Sequence, residues 1–194
     1  MIDRPEDLDT LPVIEMATLD QRHPGLTPEI AASFAQAAAI CFSRHHESPA
    51  SLTVTADDTS AASYPITWKE PTQRERNSWA NADDATRDGA YCVVLAVAEQ
   101  HLGLVALSRT PVGSGADYWM APSDMLRNPV DGLIDYESAL RLEVSGMSLC
   151  RDERALEDRV RQKARQVRAG SSSSPALAGV VAFNMLRVVF RSVE

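Results

Sequence analysis

The spacing of apolar residues changes period several times along this chain, and each change predicts an element. Thr27-Pro28-Glu29 reads as a helix start, with Thr27 as N-cap and Pro28 at the first helical position. The helix is expected to run to about His45, with Ile30, Phe34, Ala37, Ala38 and Cys41 on one face. Ser51 to Thr55 alternates and predicts a strand, with Ser63 to Trp68 returning as its hairpin partner. Pro65 confines that partner to an edge, because proline offers no N–H to a second neighbour. Residues 69–82 read as a polar connection with a helical turn around Glu75 to Trp79. Asp83 or Asp84 is expected to cap a second helix lasting to about His101. Tyr91 to Ala98 is apolar on every side, as in a helix buried against a sheet, and Gly103 stands at the usual C-terminal stop.

Short segments follow. Leu104 to Ser108 and Ala116 to Met120 read as strands around the turn Pro111 to Gly115. Ala121 to Asp135 reads as loop, punctuated by Pro122, Asn128-Pro129 and Asp131-Gly132. Ser138 to Gly146 is the clearest strand: Leu140, Leu142 and Val144 face one way, Arg141, Glu143 and Ser145 the other. Residues 152–168 carry helical periodicity, stopped by Gly170 and the run Ser171 to Ser174. Leu177 to Phe183 reads as a buried strand, and Leu186 to Val193 as one more beside it. From residue 84 the order is helix, strand, strand, strand, helix, strand. That order predicts an α/β (α+β) fold with a mixed central sheet flanked by helices. Residues 1–82 are expected to form an N-terminal arm, helix and hairpin extension, serving as decoration or homodimer surface, and residues 83–194 the core.

Composition sharpens this. The 194 residues are 44% apolar and 24% charged, as in ordinary globular proteins. The densest apolar run, Ala90 to Ala98, is too short to span a bilayer, and the acidic N-terminus lacks the apolar core of a signal peptide. Three widely spaced cysteines, Cys41, Cys92 and Cys150, make neither a disulfide framework nor a zinc cluster, so a reduced, cytoplasmic protein is expected. His45 and His46 lack a local third metal ligand. The net charge of −8 opposes indiscriminate nucleic-acid binding. It is unevenly spread: residues 151–194 hold nine Lys/Arg against five Asp/Glu, leaving ten against twenty-two before them. Contact with phosphates is therefore expected from the C-terminal quarter. Neither a Gly-x-Ser-x-Gly elbow nor a Gly-x-x-x-x-Gly-Lys loop is present, and Gly113-x-Gly115 is a lone pair in a turn.

Residues 84–184 resemble the core of the PD-(D/E)xK, restriction-endonuclease-like nuclease superfamily. In that family an acid opens the second core strand and a (D/E)-x-K follows on the third. Gly115-Ala116-Asp117 looks like the first motif; Glu143-Val144-Ser145 matches the second except that serine replaces lysine. The resemblance implies an αβββαβ core and a Mg²⁺- or Mn²⁺-dependent endonuclease acting on DNA, with Asp117 and Glu143 as metal-binding carboxylates. The Val144 carbonyl is the natural third protein ligand, since Mg²⁺ prefers oxygen and keeps several waters. Taking Leu156 as zero, a helical step puts Val160 at about 40°, Lys163 at about 340° and Val167 at about 20°. Lys163 thus lies in an apolar stripe, where an ammonium must snorkel to water or pair with an acid. Some members of the superfamily carry the catalytic lysine on this helix, which makes Lys163 the candidate. Gln162 and Gln166 could add polar contacts, and Asp88 or Glu99 a further acid. Arg159, Arg161, Arg165 and Arg168 are the candidate nucleic-acid contacts. Family analogy further implies bacterial defence or a mobile element, with a partner protein from the same operon.

The same residues admit plainer readings. Asp117 can be a turn residue, Glu143 a cross-strand partner of a base, and the basic series a solvated face. With Ser145 in the lysine's place, the alternative is a catalytically inactive nuclease-fold module that binds DNA or a partner protein.

Overall fold

The computed structural model of the protein describes residues 12–57, 59–127, 139–170 and 174–193. The outer part of the N-terminal arm, Asp58 of the first hairpin turn, the loop from Asn128 to Asp135 with Ser138 after it, and Ser171 to Ser173 lie outside them. Seven strands form one mixed sheet: β1 (Ala50–Ala56), β2 (Ala62–Ile66), β3 (Leu104–Arg109), β4 (Tyr118–Pro122), β5 (Leu140–Met147), β6 (Ala176–Ala182) and β7 (Arg187–Val193). Their order is β2-β1-β7-β6-β5-β4-β3. β3, β4 and β5 form an antiparallel meander; β6 joins β5 in parallel, and β7 returns antiparallel to β6.

Helices cover both faces. α1 (Pro28–Ser43) packs along α3 (Ala82–Leu102), and α3 lies on β3, β5 and β6. α5 (Glu153–Arg168) packs on β5, β6 and β7. Two short helices, α2 (Gln73–Ser78) and α4 (Ser123–Arg127), sit in the connections. The main core lies between the α1/α3 layer and the sheet, with Leu142, Val144, Leu177 and Phe190 meeting Phe42, Val94 and Leu95. A smaller core under α5 joins Leu156 and Val160 to Val180, Ala182 and Val189. Among the described residues, no helix is long and apolar enough to cross a membrane.

The N-terminal helix and hairpin extend the same sheet: β1 pairs in parallel with β7, and β2 is an edge strand, as Pro65 requires. Several expectations need correction. Ile30 is 42% exposed: it lies in the first turn of α1 at the border of the buried stripe Ala31, Phe34, Ala38 and Cys41, whose centre is about 60° away. The cap of α3 is Asn81, whose side chain accepts from the N–H groups of Asp83 and Asp84, placing those acids in the first turn near the positive helix end. The connection 69–82 holds a capped helix, where Thr72 and Glu75 exchange bonds as a capping box. The segment expected to be loop after Ala121 contains α4, restricted to five residues between Pro122 and Pro129. β4 begins at Tyr118, two residues later than predicted.

Candidate active site

The late start of β4 makes the cleft. β4 pairs with β5 only from Tyr118↔Leu142 to Met120↔Leu140, whereas β5 continues to Met147 with β6 as its partner. The β4-facing edge of Glu143 to Met147 therefore opens between α3 on one face and α5 on the other. Asp117, just before β4, turns its carboxylate into this opening. Its Oδ2 accepts from the Val144 N–H at 2.8 Å, taking the place of the missing strand, and its Oδ1 accepts from the Tyr91 hydroxyl at 2.8 Å. The carbonyl of Val144 leaves the strand on the same edge as its N–H, as β geometry dictates. α3 can approach β5 here only because residue 146 is glycine: a Cβ at Gly146 would lie 2.5 Å from the Thr86 carbonyl oxygen.

Glu143 is opposite Asp117 and only 4% exposed. Its Oε1 accepts from Lys163 Nζ at 2.7 Å and from Gln166 Nε2 at 3.0 Å. Lys163 also donates to Gln166 Oε1 at 3.0 Å. The lysine in the apolar stripe of α5, beside buried Leu156, Val160 and Val167, thus meets an acid. Burial pushes the Glu143 carboxyl up from 4.5 to about 7, with the neighbouring Asp117 carboxylate adding to the rise and Lys163 opposing it.

Two openings meet at the carboxylate pair. One, of about 360 Å³, is walled by Thr86 and Arg87 of α3, the β5 edge, and Arg159 and Lys163 of α5. The other, of about 530 Å³, lies between the turn Thr110 to Ala116 and the end of α5 at Gln166 to Gly170. Asp117 and Glu143 line both. Ser145, where the resemblance leads one to expect a lysine, lines the first.

Asp117, Glu143, Val144, Lys163 and Gln166 are therefore brought together, with Arg159 at the rim. Other candidates stand elsewhere. Asp88 pairs with Arg87, and Glu99, further along α3, holds Arg22 and His23. Gln162 accepts from Arg159, and Arg161 is exposed and paired with Asp158. Arg165 is exposed, and Arg168 lines a separate cavity with Arg141 at the opposite end of β5. The basic series thus splits on α5: Arg159 lies with Lys163 beside the carboxylates, whereas Arg161, Arg165 and Arg168 share another face within about 60°. His46 Nε2 donates to the Phe183 carbonyl oxygen at 2.9 Å, and no group of three His, Cys, Asp or Glu suited to a metal occurs among the described residues.

The donor chemistry nevertheless fits a hard divalent cation. Two carboxylates and one backbone carbonyl offer only oxygen, and a cation between them would relieve the repulsion from Asp117 that adds to the effect of burial on Glu143. Sequence reasoning missed Tyr91, read as one more apolar residue of α3. Its hydroxyl was the available signal, since a buried phenol needs a polar partner. Arg87 and Arg109, which line the two openings, were also passed over. No family model, curated protein or solved structure matches the chain.

Proposed function

We propose that the chain is a metal-dependent nuclease acting on DNA phosphodiester bonds, with Asp117, Glu143 and Lys163 at its centre. The observation that carries the reading is the meeting of these three side chains, from three separate elements, in one solvent-reachable opening. The order β3-β4-β5-β6, a meander followed by a parallel crossover through α5, supports an αβββαβ nuclease-like core. Asp117, Glu143 and the Val144 carbonyl would hold Mg²⁺ or Mn²⁺, which when bound polarises the phosphoryl oxygen and acidifies water. Tyr91 and the Val144 N–H fix the Asp117 carboxylate in place, so little reorganisation accompanies reaction. Lys163, steadied by Gln166, presents its ammonium beside the pair, where it can orient an attacking water or meet developing negative charge.

One observation favours a second reading, a nuclease-fold module that binds DNA or a partner protein without cutting: Lys163 and Gln166 already occupy Glu143 Oε1. A Mn²⁺-dependent cleavage assay on duplex DNA separates the two. The nuclease reading expects cutting by the wild type and a loss of about 10²-fold or more in Asp117→Ala, Glu143→Ala and Lys163→Ala. Cleavage that is absent in the wild type, or equal in all four proteins, rejects it and leaves the binding module.

A further inference from the structure

Arg109, the last residue of β3, makes only a long ion pair with Asp117, yet it is built into the same region. Its guanidinium carbon lies 4.3 Å from the ring centres of both Tyr91 and Tyr118, and 5.9 Å from that of Phe34. The rings of Tyr91 and Tyr118, 5.7 Å apart and inclined at 77° to each other, form a corner that holds the guanidinium by cation–π attraction and restricts its rotamers. The side chain nonetheless stays 48% exposed and lines the larger opening beside the turn Thr110 to Ala116.

A counter-ion role toward Asp117 explains little of this. The nearest approach, from Nη1 to Asp117 Oδ1, is 3.9 Å, while Asp117 accepts bonds of 2.8 Å from Tyr91 and from Val144. A guanidinium serving a carboxylate closes on it at about 2.7–2.9 Å, often with two parallel bonds. The aromatic contacts and a side-chain hydrogen bond with Tyr91 engage Arg109 instead, and its exposed remainder faces the open cleft. The side of the site also matters. Arg159 and Lys163 line the smaller opening and Arg109 the larger, whereas the two carboxylates line both.

We propose that Arg109 is a phosphate-binding residue. It takes the phosphate flanking the scissile one on the side of the Thr110–Ala116 turn, so that a nucleic-acid strand crosses the carboxylate pair from Arg159 toward Arg109. The assignment rests on Asp117 and Glu143 being the hydrolytic pair. Because the aromatic faces have already ordered the side chain, binding loses little rotamer freedom.

The test is fluorescence anisotropy with a labelled duplex oligonucleotide in Ca²⁺, over a range of salt, with the oligonucleotide checked for integrity afterwards. Arg109→Gln is expected to lower affinity about tenfold at low salt and to reduce the slope of log K against log[salt] by about 0.9, one phosphate contact on a duplex. Arg109→Lys keeps the charge and loses the fork and the stacking, so its slope stays at the wild-type value while affinity falls by about threefold. Arg74→Gln, on α2 and outside both openings, leaves affinity unchanged. Wild-type affinity and slope in Arg109→Gln, with binding weakened by Arg159→Gln, would overturn the assignment and leave the site reading standing. Unchanged affinity in Arg109→Lys also overturns it, and serves if Arg109→Gln does not fold. No binding by the wild type at any salt removes the site reading, and this assignment with it.

Discussion

Glu143 combines two properties that seldom coexist in a residue kept for stability alone. It is buried, and it faces a second carboxylate as well as a lysine. In the folded chain its carboxyl titrates near 7, above the ordinary 4.5, so the folded state holds the proton more tightly than the unfolded one. The associated stability is fully present below about pH 4.5 and is lost as pH rises through about 7. Glu143→Gln does not titrate. The stability of the wild type relative to that variant should therefore fall between about pH 5 and about pH 8, by up to about 3 kcal/mol. Urea unfolding of both proteins across that range measures it, and a constant difference would sink the idea. At this scale the sequence was informative where a side chain contradicted its surroundings. A glutamate inside a strand and a lysine inside an apolar stripe each needed a partner, and each is the other's. Tyr91 and Arg109 did not stand out, because a tyrosine in an apolar helix and an arginine after a strand contradict nothing until their neighbours are known.

Elements were legible wherever the pattern had a strong period. The alternation in β5, the stripe of α5 and the Thr27-capped start of α1 all have their causes within a few residues. Boundaries set by tertiary contacts were not legible. β4 starts at Tyr118 because the Asp117 side chain, not another strand residue, satisfies the Val144 N–H. Gly146 is a similar case: inside a strand it looks like a weakness, yet it is where α3 crosses β5 against the Thr86 backbone. A side chain there must push the helix away. Gly146→Ala is expected to destabilise the fold by about 1–3 kcal/mol, as overpacking generally does. It should also displace Thr86 and Arg87, which wall the smaller opening. A thermal melt checks the first effect; a melting temperature equal to that of the wild type would show that α3 yields without cost.

The described strands all belong to one sheet, and its continuity decides how the two halves of the chain depend on each other. The αβββαβ part accounts for β3 to β6, but α3 is buried along its length by α1, and β7 passes from β6 directly to β1. Such long-range pairing was beyond local sequence patterns, which is why residues 1–82 read as an addition. Removing them would uncover the α1-facing surface of α3 and free the β1 edge of β7. It would also remove the buried Phe34, Ile40, Phe42, Leu52, Val54 and Ile66. At about 2 kcal/mol for each large apolar side chain, that loss is comparable to the whole stability of a domain, about 5–15 kcal/mol. A fragment of residues 83–194 is therefore expected to fail to fold cooperatively, although it would contain every residue of the Asp117–Glu143–Lys163 site. Circular dichroism melts and binding of an apolar dye test this directly. A sigmoidal melt without dye binding would show that the core stands alone and that α1, β1 and β2 are additions to it. A broad melt with strong dye binding would show that the cleft between α3 and α5 depends on the N-terminal helix holding α3 against the sheet.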